Sequence, residues 1–288
     1  MQKLKVYQSI WAMQQRSGAL LTEREPVLDR IAEAGYSGVA LDVSVDEIND
    51  GLLYKSLLKE RNLECQVIIF PRDDGDFVKL LEFTKEMNAQ LCVVVGMAFP
   101  LNVSGAIPIV RNWMSLAEKV GMPILFETHR NCILNDMFYT LELLDAVPEM
   151  NLCADFSHYV LNRELRLPAG NMFEHLFNRL IERSSSFQGR ISSHEQIQIQ
   201  LDFPQHTAWV EFYKNLWRRG IESWRQRMSD SDALVFLCEL GPPPYAITNV
   251  HGEELSDRWA EAQTIKSWIE SIWMESEPEC NSSHRHAS

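Results

Sequence analysis

The stretch Met122–His158, MPILFETHRNCILNDMFYTLELLDAVPEMNLCADFSH, decides the fold. Its opening, "MPILFETH", is an apolar run that ends in Glu127 and His129. Its middle, "DMFYTLELLDAVP", carries apolar residues at helical period and stops near Pro148, which cannot extend a helix. Its close, "MNLCADFSH", is a second apolar run, ending in Asp155 and His158. Two strands joined by a helix must run parallel, because only a crossover of that length returns the chain to the same end of a sheet.

The same alternation extends in both directions. Residues 5–13, 37–44, 64–71 and 89–97 read as strands before the opening stretch, and 187–192 and 233–241 as strands after it. The segments 25–35, 46–62, 77–88, 109–121, 171–184, 207–228 and 256–273 read as amphipathic helices between and after them. The result is eight strand–helix units at a spacing of roughly 30 residues, the length of one parallel crossover unit. Runs such as "LCVVVGM" have no polar alternation and fit strands covered on both faces. Eight units predict an α/β fold, a single-domain (β/α)8 TIM barrel over residues 1–275. The rival, an open doubly wound sheet, lacks its GxGxxG signature after the first strand. The polar, aperiodic segment 276–288 reads as a disordered C-terminal tail.

Composition narrows the function. The 288 residues are 45% hydrophobic and 23% charged, with a net charge of −13. That balance argues against a partner with a phosphate backbone, so no nucleic acid is expected. No apolar window is long enough to span a membrane, and the N-terminus lacks a signal-peptide core. The six cysteines form no CxxC pair and several sit in apolar runs. They read as small hydrophobes of a reduced, cytoplasmic protein.

Active sites of such barrels lie at the C-terminal ends of the strands. The polar residues collect there. Glu127 and His129 share one face of the fifth strand, because side chains alternate with period two. Asp155 and His158 end the sixth; Gln188, Arg190, His194 and Glu195 follow the seventh; Glu239 ends the eighth; and Asp42 ends the second. Trp11 and Phe99 supply apolar walls from strands one and four, and the Gly241–Tyr245 loop shapes another. Thr128 points the other way, into the layer between barrel and helices. Taken alone, Asp42 reads as a turn or helix-capping acid. Trp209, Trp217 and Trp224 recur at helical spacing and read as a packing face. Three carboxylates converging on one rim repel one another and lose hydration, which a bound divalent cation relieves. Oxygen donors favour Mg²⁺ or Mn²⁺, and an imidazole among them would favour Mn²⁺, Co²⁺ or Zn²⁺.

At "FETHR", "ADFSH" and "CELGPPPYAIT" the chain resembles the xylose-isomerase-like TIM barrel superfamily, over about residues 3–275. Its bacterial sugar phosphate isomerase/epimerase-like branch is the most similar. The resemblance implies one divalent metal ion held by Glu127, Asp155, a strand-seven residue and Glu239. Gln188 is taken as that fourth ligand, with His194 as its competitor. The resemblance further casts Glu127 and Glu239 as the catalytic acid/base pair. It makes His158 a substrate contact, alongside Arg190, His194, His129 and Trp11. The implied activity is isomerisation or epimerisation of a sugar, keto-sugar or related hydroxy-carbonyl compound through an enediolate. The same chemistry with a β leaving group gives a metal-dependent lyase, either a dehydratase or a deglycosidase. A catalytically inactive binding module is the remaining alternative. The expected partner is a small carbohydrate-like substrate, and a homo-oligomer is compatible with the sequence. No Gly-rich phosphate cradle follows strands seven or eight, so a non-phosphorylated substrate is favoured.

Overall fold

Aliphatic runs without polar alternation become strands where both faces are covered, and eight strands close on themselves here. A computed structural model describes residues 1–14 and 23–277. The strands are β1 (Lys3–Ser9), β2 (Gly38–Val43), β3 (Glu64–Ile69), β4 (Leu91–Val94), β5 (Ile124–Glu127), β6 (Leu152–Ala154), β7 (Ser184–Gly189) and β8 (Ala233–Cys238). They form a closed barrel in sequence order. Closure is parallel, with β8 beside β1 from Lys3↔Ala233 to Gln8↔Cys238.

The helices around it are α1 (Arg24–Glu33), α2 (Ile48–Leu52), α3 (Tyr54–Glu60), α4 (Asp74–Glu86) and α5 (Val103–Lys119). They continue with α6 (Met137–Ala146), α7 (Phe156–Asn162), α8 (Asn171–Ile181), α9 (Thr207–Arg227) and α10 (Arg258–Glu275). Short polar side chains start several of them. Asp73, Asn102, Asp136 and Asp257 each accept hydrogen bonds from free N–H groups of the first turn. Trp209, Trp217 and Trp224 are buried within the chain, so α9 presents them to the core as its spacing predicts. Trp217 meets Phe236 of β8 edge-on at 5.5 Å, and Trp113 of α5 stacks on Phe77 of α4 at 5.2 Å. Each such aromatic contributes about 2–3 kcal/mol of burial.

Several local boundaries differ from the sequence expectation. β1 stops at Ser9, and Trp11–Met13 form a 3-10 turn in which Ser9 Oγ accepts from Ala12 N at 3.2 Å. The helix expected over 46–62 is broken into a 3-10 turn, α2 and α3, with Ser44 and Glu47 forming a capping box at its start. β6 is only three residues long because Asp155 already caps α7, which places His158 on a helix. β7 begins at Ser184, three residues before the expected start. Its three serines carry no apolar signal, and pairing with β6 and β8 makes them a strand. Of the expected tail, residues 278–288, including Cys280, lie outside the described residues. The other five cysteines are buried and unpaired, which fits the small-hydrophobe reading. Among the described residues, no helix is long and apolar enough to cross a membrane.

Candidate active site

Four strand ends deliver the polar residues to one mouth of the barrel. Glu127 is the last residue of β5, Asp155 follows β6, Gln188 lies in β7 and Glu239 follows β8. The Glu127, Asp155 and Glu239 carboxylates approach within 4.8 Å of one another. Glu127 is 3% exposed and Asp155 fully buried. Gln188 Nε2 donates to Glu127 Oε2 at 2.9 Å. Its Oε1 is buried with no hydrogen-bond partner. Asp155 is more heavily engaged. Its Oδ1 accepts from Ser157 N at 2.8 Å and Ser157 Oγ at 2.5 Å, while its Oδ2 accepts from Arg190 Nε at 3.1 Å.

Arg190 is the one cation inside this group. It is 2% exposed, and its Nη2 lies 3.1 Å from Glu239 Oε2. Its guanidinium packs over the rings of Tyr245, 4.7 Å away, and Trp11, 5.6 Å away. Gly241 makes that wall possible, because a Cβ there would fall 2.1 Å from the Trp11 ring. Asp155 and Glu239 hold Arg190 protonated against the effect of its burial.

The carboxyls are pushed away from their ordinary range. Burial, then Glu239 and Asp155, raises Glu127 well above it. Burial also lifts Glu239, to about 7, with Asp155 adding to the rise and Arg190 opposing it. Asp42, on β2, is raised by burial and by Glu239, and its Oδ1 has no partner. Asp42 therefore faces the cavity and is not a capping acid.

The two histidines have assignable tautomers. His129 Nδ1 contacts the Arg130 carbonyl, which only accepts, so Nδ1 carries the hydrogen and Nε2 is left with its lone pair. His158 Nδ1 lies 2.9 Å from Arg130 Nη1, which only donates, so its hydrogen sits on Nε2, 3.5 Å from Asp155 Oδ2. Both rings are held neutral by burial, His129 with its pKa lowered to about 4. Glu127, His129 and His158 also approach within 4.8 Å. The hydrogen on His158 Nε2 makes that second group a poor set of metal ligands. The oxygen set fits better: three carboxylates and the unpartnered Gln188 Oε1, donors that suit a hard divalent ion.

A cavity of about 480 Å³ opens onto the group, a size suited to a small molecule. Trp11, Asp42, Glu127, His129, Arg190, Glu239 and Tyr245 line it, as the strand-end argument anticipates for most of them. Its far end carries Arg24, Glu47, Asp50 and Tyr54, which the sequence reading missed. Their placement depends on how α1, α2 and α3 pack over the barrel, and no local pattern encodes it. Two expectations are corrected. His194 does not line the cavity; it stacks on Trp209 at 5.8 Å with a side chain 34% exposed, because the chain turns away after Arg190. Asp155, Gln188 and His158 are likewise outside the lining. Phe99 is 59% exposed, outside the lining. His158 lies behind His129, fully buried, and reaches the site through Arg130 and Asp155. Thr128 is fully buried and donates to the Asp155 carbonyl at 2.8 Å.

No family model matches the chain, and no curated protein matches it. Solved structures do. A xylose isomerase-like TIM barrel protein from Mycobacterium smegmatis in complex with magnesium is 11% identical, covering 95% of this chain and 99% of that one, with a TM-score of 0.61. D-allulose 3-epimerase from Methylomonas sp. in complex with D-allulose is 17% identical, covering 94% and 98%, with a TM-score of 0.60. The probable 3-DHS dehydratase AsbF from Bacillus anthracis is 14% identical, covering 93% and 98%, with a TM-score of 0.55. At these identities the likeness establishes the fold.

Proposed function

We propose that this chain, which has the xylose-isomerase-like barrel fold, is a divalent-metal-dependent isomerase or epimerase of a sugar or related hydroxy-carbonyl compound. The observation that carries the reading is the buried Glu127–Asp155–Glu239 group, with the unpartnered Gln188 Oε1 beside it and with Glu127 and Glu239 lining the cavity. The likeness to an epimerase seen with its sugar and to a barrel seen with magnesium supports it.

These four residues would hold one Mg²⁺ or Mn²⁺, which when bound polarises a substrate carbonyl and favours loss of the neighbouring proton. Glu127 and Glu239 stand on strands on opposite sides of β6 and β7, so they are suited to exchange that proton between two carbons or two faces. Gln188 holds Glu127 in place through its 2.9 Å bond. Arg190, with Nη1 unpartnered, donates to a substrate oxygen. Trp11 and Tyr245 close one wall and exclude water. At the far end, Arg24 is already ion-paired with Asp50, and Glu47 adds negative charge. That balance suits an uncharged polyol better than a phosphorylated one.

A second reading, a lyase acting on a keto-sugar or inositol derivative, is favoured by His129. Its free Nε2 gives the cavity a third proton-transfer group, neutral at pH 7. One experiment separates the readings. The purified chain is loaded with Mn²⁺ and incubated with a panel of keto-sugars in D₂O, with Glu239→Gln as control. Deuterium entering the substrate without elimination supports the isomerase or epimerase. Elimination products select the lyase. Failure to bind any divalent ion ends both metal-dependent readings.

A further inference from the structure

Arg190 occupies the place where charge balance calls for a cation. Asp155 and Glu239 pair with it directly, and Asp42 and Glu127 line the same cavity. Its Nε and Nη2 reach Asp155 and Glu239, two of the three carboxylates that would ligate a metal. Nη1 has no hydrogen-bond partner, and Glu239 Oε2 meets Nη2 as an ion pair. Trp11 and Tyr245, edge to face with each other at 5.0 Å, both lie against the guanidinium. Asp155 is therefore shared. One oxygen serves Ser157 and the other serves Arg190, so its capacity to serve a second cation is reduced.

We propose that Arg190 is a resident cation that competes with the divalent ion, keeping the carboxylates assembled in the metal-free protein and setting a weak, reversible metal affinity. This rests on the metal-dependent reading above. Two like charges served by the same carboxylates repel, and removing the fixed one strengthens binding of the other. The arginine is a positioning residue in this respect, distinct from any contact its Nη1 makes with substrate.

The test is Mn²⁺ binding, followed by calorimetry and by loss of the free-ion EPR signal, in the parent, Arg190→Gln, Arg190→Met and Arg190→Lys. Circular dichroism establishes folding of each. Both neutral variants should bind Mn²⁺ at least about tenfold more tightly than the parent, equivalent to about 1.4 kcal/mol. Their melting temperatures should rise more on Mn²⁺ addition than the parent's. Arg190→Lys, which keeps the charge, should stay close to the parent. A neutral variant that binds no better than the parent overturns the proposal, as does a lysine variant that gains as much as the neutral ones. Variants that fold neither with nor without Mn²⁺ would give the arginine a purely structural role and also overturn it. A variant that binds where the parent does not supports it. If no form binds a divalent ion, the metal-dependent reading fails with it; a parent that binds normally separates the two failures.

Discussion

Glu239→Gln should stabilise the metal-free protein at pH 8. The Glu239 carboxyl is raised from 4.5 to about 7, chiefly by burial. A folded-state value above the unfolded one means that the folded protein holds its proton more tightly. Stability from that group is therefore full below pH 4.5 and is lost as pH rises through 7. The displacement corresponds to roughly 3 kcal/mol at pH 8. Glutamine keeps the shape and removes the charge, and it also relieves Asp42 and Glu127, which Glu239 pushes up. The pull of Arg190 on Glu239 is already contained in that value, and the arginine keeps Asp155. The net gain is about 3 kcal/mol, or about 5 °C in melting temperature for a chain of this size. The assay is thermal denaturation followed by circular dichroism in a chelating buffer from pH 5 to 8.5. The parent should fall relative to the variant as pH rises, and the two should converge near pH 5. With saturating Mn²⁺ the order should reverse, because the ion stabilises only the form that binds it well. A variant less stable than the parent at pH 8 without metal, or a difference that ignores pH, would refute this account of the buried charge.

Two further outcomes are accessible. Gln188→Ala leaves Glu127 Oε2 buried without its donor, which costs about 1–3 kcal/mol in the metal-free protein, and should weaken Mn²⁺ binding by about 10–100-fold, read by denaturant melts and calorimetry. Gly241→Ala drives a methyl into the Trp11 ring, so it should lower stability by about 1–3 kcal/mol and, by disturbing the wall against Arg190, reduce turnover more than Gly170→Ala does, where a Cβ meets open space.

A buried site with four acids and one arginine is a poor way to stabilise a protein. Partly neutral, imperfectly paired groups in a low-dielectric floor are the arrangement expected where a site is built to bind or transfer charge. The histidines show the same economy. A single residue, Arg130, orients both: its carbonyl takes the His129 hydrogen and its guanidinium supplies one to His158. Arg130 also lies over the Tyr245 ring, linking the loop after β5 to the loop after β8.

The chain's own pattern determined the barrel. Apolar runs of strand length separated by amphipathic segments admit parallel pairing through crossovers, and eight repeats allow closure, so the strand ends carrying Glu127, Asp155, Gln188 and Glu239 were legible before any coordinate. Period two likewise put His129 on the Glu127 face. Tertiary structure decided what no local pattern holds. The serines of β7 became a strand only through pairing with both neighbours. Asp155 ended β6 by capping α7, which drew His158 behind the site. His194, near Gln188 in sequence, was carried off to Trp209, while Arg24 and Tyr54 came from afar to line the cavity. Periodicity reports which face of an element is buried; which side chains meet across a mouth depends on where each loop turns, and that is settled only when the helices pack.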